Sequence, residues 1–135
     1  MMKYVCLVYA VEEELHSLPD SPPDAECMSY VGSLLQRGKF LAGEALASSE
    51  TATTLEVRGG KLSVTDGPFA ETREQLVGFY LIDAENLDEA IKLAAGIPPA
   101  RVGKIEVRPV RPLELDPRSD DSALAGIIMP DATAD

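Results

Sequence analysis

Apolar residues run almost without interruption through residues 4–10 (Tyr-Val-Cys-Leu-Val-Tyr-Ala) and again through 77–82 (Val-Gly-Phe-Tyr-Leu-Ile). Both segments are short, β-branched and aromatic, so each reads as a strand covered on both faces. A helical period sets in after the first of them: Cys27, Met28, Val31, Leu34 and Leu35 share one face of a segment ending near Arg37. Ser21-Pro22-Pro23-Asp24 supplies a cap, a helix-starting proline and a first-turn carboxylate, and Gly38 is placed to end the helix. Residues 40–46 form a second strand of small and apolar residues broken by Glu44. Residues 53–58 and 61–65 alternate around Gly59-Gly60, which predicts a two-residue hairpin. Asn86-Leu87-Asp88-Glu89 has capping-box spacing and opens a helix with Leu87, Ala90, Ile91, Ala94 and Ala95 as its apolar stripe, stopped by Gly96 and Pro98-Pro99. In 103–109, Ile105 and Val107 alternate with Lys104, Glu106 and Arg108, predicting a last strand.

This order gives an α+β fold: the ferredoxin-like split βαβ plan with an added hairpin, spanning 1–113. Two helices cover one face of such a sheet, and the doubly apolar strands ask for cover on the other. A second copy packed sheet to sheet would supply it, which predicts a homodimer. Residues 114–135 carry Glu114, Asp116, Asp120, Asp121, Asp131 and Asp135 against Arg118 alone, and read as an acidic tail, mobile or docking on a partner subunit through 124–129.

Composition narrows the partners. The 135 residues are 45% hydrophobic and 26% charged, with a net charge of -11, which disfavours nucleic acid and anionic membranes as ligands. Cys6 and Cys27 lie in apolar patterns without a CxxC or a histidine nearby, so they read as core thiols. No phosphate loop, nucleophile elbow or metal-ligand spacing occurs, and no cofactor is expected. The N-terminus enters a strand at once without a leader pattern, giving a cytoplasmic expectation.

Candidate chemistry gathers around Thr65-Asp66-Gly67-Pro68-Phe69-Ala70-Glu71-Thr72-Arg73-Glu74-Gln75. Asp-Gly-Pro forces a sharp turn, so a polar loop hangs on the strand at 77–82, and loops held by a scaffold commonly carry function. Asp66 can act as a general base or ligand-orienting acceptor there, or bond its own turn. Glu44 interrupts an apolar strand, and Glu106 and Arg108 alternate away from the predicted helix side. In a face-to-face dimer, Glu44, Asp66 and Glu106 would supply protons and Arg108 would hold an anion in one pocket, with Tyr9 and Tyr80 lining it. Structural ion pairs and core tyrosines are the competing readings. His16, the lone histidine, sits in an acidic loop, where solvation competes with proton shuttling.

The 65–72 block, together with Gly78-Phe79-Tyr80-Leu81-Ile82, Asn86-Leu87-Asp88-Glu89-Ala90 and Glu106-Val107-Arg108-Pro109, resembles the DGPF-domain branch of the YCII-related proteins over residues 1–113. That resemblance implies a dimeric α+β barrel. It also implies association with extracytoplasmic-function sigma-factor genes. The YCII branch proper is similar in fold but carries a His-Asp pair proposed as catalytic, with the His near the start of the first helix; His16 precedes Pro19 in a loop, so that dyad is not carried over. Two functions stay open: an acid-base enzyme acting on a small polar molecule, and a non-catalytic ligand- or protein-binding module.

Overall fold

The computed structural model describes residues 1–114. Strands β1 (Met2–Ala10), β2 (Phe40–Ala45), β5 (Gln75–Ala84) and β6 (Lys104–Pro109) form one sheet, while β3 (Thr53–Arg58) and β4 (Lys61–Asp66) form a separate hairpin. Helices α1 (Asp24–Gln36) and α2 (Leu87–Ala95) complete the α+β, split βαβ arrangement. The sheet runs in the order β2-β5-β1-β6, every neighbouring pair antiparallel.

Register decides which side chains meet the helices. Tyr4, Cys6 and Val8 pair with Ile82, Tyr80 and Gly78 on β5 and with Pro109, Val107 and Ile105 on β6. That set faces Leu34 of α1 and Ala90, Leu93 and Ala94 of α2, with Ile97, in one core. Tyr80 belongs here: its ring meets Phe40 edge-on at 5.9 Å, and burial pushes its hydroxyl up to about 12. Cys6 is likewise pushed up by burial, to about 11, and Cys27 upward for the same main reason, so neither thiol is poised as a nucleophile.

The helix ends follow the sequence in part. Asn86 Oδ1 accepts from the Glu89 amide at 2.9 Å, and Glu89 accepts in return from the Glu85 amide at 2.8 Å while pairing with Lys39 at 3.1 Å. At α1 the residue before the helix is Pro23, with no side-chain cap; Ser21 instead accepts from the Leu18 amide.

The opposite face carries Val5, Leu7, Tyr9, Phe79 and Leu81, all half-buried. The expected closed dimeric α+β barrel is corrected here: the described residues form an open four-stranded sheet with β2 and β6 as edges, and give no evidence of a dimer. About eight strands are needed to close a barrel around side chains, and the hairpin pairs only with itself rather than extending the β2 edge. Half-burial on that face also weakens the argument that a second sheet must cover it. No described helix is long and apolar enough to cross a membrane. The expected docking of 124–129 lies outside the described residues.

Candidate functional site

A cavity of about 640 Å³ opens where the end of β1, the segment after β2, the hairpin base and the 67–74 loop converge. Its wall includes Tyr9, Ser49, Thr54, Pro68, Phe69 and Gln75. The chain reaches this arrangement through three local devices. Gly67, at φ 104°, takes a left-handed conformation that only glycine adopts readily, and so turns the chain out of β4. Its amide donates to the Ala52 carbonyl at 2.7 Å, and Thr54 Oγ1 donates to the Gly67 carbonyl at 2.8 Å, pinning the loop to the hairpin base. Gln75 closes the other end: its Nε2 donates to the Thr72 carbonyl at 2.6 Å, and its Oε1 accepts from the Glu12 amide at 3.0 Å.

Glu12 clasps Ser49 of the wall. Both of its carboxylate oxygens accept from the Ser49 amide, at 2.9 and 3.2 Å. Hydrogen bonds from Ser49, side chain first and then backbone, hold its carboxyl below the usual glutamate range. The clasp is therefore fully formed above the ordinary glutamate value, about 4.3, and weakens as pH falls through the lowered folded value. The Tyr9 hydroxyl makes no hydrogen bond among the described residues, which leaves a donor and acceptor at the cavity wall.

Of the residues singled out from sequence, Tyr9 lines this cavity. Asp66 stands at the end of β4, exposed, one residue from Gly67 and two from Pro68; its carboxylate forms no hydrogen bond among the described residues. The turn bond open to Asp66 is thus absent there. Glu44 and Glu106 do share the non-helix face, since they pair with Phe79 and Leu7. They lie on opposite edge strands, roughly 14 Å apart at ~4.8 Å per strand. Arg108 lies 3.9 Å from Glu106 with its side chain 66% exposed, an arrangement worth roughly 0–1 kcal/mol. Tyr80 lies on the helix side, opposite to Tyr9. These residues therefore do not meet in one pocket of the chain. His16 is exposed in the 11–20 turn region, away from the cavity wall.

Ser49 and Glu12 were not singled out from sequence, and Gln75 only as the last residue of the 65–75 stretch. Gln75 closes the very loop that the Asp-Gly-Pro turn marked, so a signal existed. Glu12 gave none, because its partner is 37 residues away. Among the described residues, no group of three or more His, Cys, Asp or Glu is placed to hold a metal ion.

Residues 2–114 match the family model for the YCII-related domain. A protein of Rhizobium meliloti (strain 1021), described by its name as uncharacterized, is 37% identical over 115 residues, covering 81% of this chain and 92% of the relative. The chain belongs to the YCII-related family.

Proposed function

We propose that the protein binds a small molecule in the cavity beneath the 67–74 loop. The observation that carries this reading is the cavity itself: about 640 Å³, within the range of about 300–1,000 Å³ common for ligand sites, and walled by the most specific stretch of the sequence. No carboxylate or histidine lies on that wall, which favours a binding module over acid-base catalysis. If catalysis does operate, Asp66 would act from the start of the loop that walls the cavity, and Glu44 and Glu106 cannot serve one small molecule together from opposite edges. The Asp66–Phe69 signature supports placing the chain in the DGPF branch, and with it a role beside extracytoplasmic-function sigma factors.

Ala52→Phe tests the binding reading by adding a ring to the cavity wall. Saturation-transfer NMR with a fragment mixture should give hits on the wild-type protein that disappear in the variant while its unfolding stays cooperative. Hits that persist unchanged, or none at all, would overturn it.

A second reading concerns self-association, and a separate observation favours it. Leu55 pairs with Val64 and Val57 with Leu62 on one face of the hairpin, and all four are 58–62% exposed. Two such faces brought together would remove this apolar stripe from water, without any barrel. Light scattering should give a dimer mass that reverts to a monomer in Val57→Lys/Leu62→Lys. An identical mass for both proteins would discard this interface.

A further inference from the structure

We infer that the ligand taken by this cavity is an uncharged molecule with a flat apolar body and at least one hydrogen-bonding group, and that the site rejects anions. This rests on the cavity being a binding site, and it adds the chemical class. The wall residues are apolar, with Leu46, Pro68, Phe69 and Leu76 the largest, or neutral and polar, with Tyr9 and Gln75 the largest; no Lys, Arg, Asp, Glu or His is among them. A charged ligand would give up part of its water against this half-exposed wall without meeting a counter-charge on it, whereas a neutral one would give up less. An apolar body is served by the wall's aliphatic side chains and by Phe69, whose ring is 90% exposed at the rim and can lie against a flat ligand face.

The surrounding charge decides between the two signs of charged ligand. The segments that build the wall, 44–54 and 66–76, carry Glu44, Glu50, Asp66, Glu71 and Glu74 against Arg73. The chain as a whole stands at -11. Carboxylate and phosphate ligands meet repulsion on approach and no donor cation on arrival. A cation is drawn toward the region, yet no carboxylate stands on the wall to receive it: Glu12 is held by the Ser49 amide, Glu74 pairs with Lys104 at 2.6 Å, and Glu44, Glu50, Asp66 and Glu71 are exposed to solvent. The Tyr9 hydroxyl, free of protein partners among the described residues, is the group that would bond a neutral carbonyl or hydroxyl.

Three nearly isosteric probes separate the alternatives: benzamide, benzoate and benzamidinium, titrated into ¹⁵N-labelled full-length protein. Benzamide should shift the Ser49, Thr51, Ala52 and Gln75 amides saturably. Benzoate and benzamidinium should bind about tenfold more weakly or less, equivalent to about 1.4 kcal/mol. Tyr9→Phe should weaken benzamide by about fivefold, the loss of one neutral hydrogen bond. Equal binding of all three, or tighter binding of a charged probe, would overturn the ligand class and leave the site standing. Silence of those amides toward every probe would instead remove the site.

Discussion

Replacing Leu34 with alanine should lower the free energy of unfolding by about 2–5 kcal/mol, the range for a large buried side chain whose removal leaves a cavity. Leu34 is 0% exposed and is the fully buried residue of α1. Its neighbours in the core come from both the central strands and α2, so the gap cannot be filled by one side chain moving. The helix has few other anchors: Met28 and Leu35 are more than half exposed, while Tyr30 reaches the Leu93 carbonyl and Glu26 pairs with Arg101 at the surface. Urea denaturation of Leu34→Ala beside Leu35→Ala checks this, with Leu35→Ala expected within about 0.5 kcal/mol of wild type. Equal losses in the two variants would mean that α1 packs by a different face.

The helices show what periodicity reveals and where it stops. The stripe Cys27, Met28, Val31, Leu34, Leu35 was legible as amphipathic, but its two flanks are alike in sequence, and only the sheet's position selects Leu34 over Leu35. In α2 the legible stripe was Leu87, Ala90, Ile91, Ala94 and Ala95, whereas the buried residues are Ala90, Leu93 and Ala94, with Ile97 just beyond. The face is rotated by a fraction of a turn because the helix axis is set by β5 and β6, which a local pattern does not encode. Strands fared better. Alternation at Ile105, Val107 and Lys104, Glu106, Arg108 assigned both faces of β6 correctly, since a period of two leaves no flank to confuse.

Site residues were legible where local chemistry makes them. The Asp-Gly-Pro turn marked the loop that walls the cavity, and Pro68, Phe69, Ala70, Thr72 and Gln75 all came with it. Charge, by contrast, misdirected attention. Glu44, Glu106 and Arg108 stood out as polar residues in strands, but they occupy edge strands of an open sheet, where solvent satisfies them. Expecting a closed interior made them look like pocket residues. The bonds that tie the cavity together across the chain, Glu12 to Ser49 and Gln75 to the Glu12 amide, join residues far apart in sequence, and a linear pattern carries no trace of such pairing.

Gly103→Ala should destabilise the protein by about 1–3 kcal/mol or more, and should disturb the cavity as well. A β-carbon at position 103 would sit 2.1 Å from the Tyr9 carbonyl oxygen and 3.1 Å from Ala10 Cβ. The first obstacle is backbone, so no change of rotamer relieves it; the turn before β6 must back away from the end of β1, where Tyr9 pairs with Lys104. Tyr9 also lines the cavity, which links this packing contact to the proposed binding site. The matched control is Gly32→Ala inside α1, where an added β-carbon meets nothing within 4 Å. There alanine should stabilise by about 0.5–1 kcal/mol through its helix propensity. Denaturation of both variants gives the stability arm, and benzamide titration of Gly103→Ala gives the functional arm, with weaker binding expected even at temperatures where the variant remains folded. A Gly103→Ala protein as stable as wild type would show that the close approach of β1 and the β6 turn is not a feature of the folded chain.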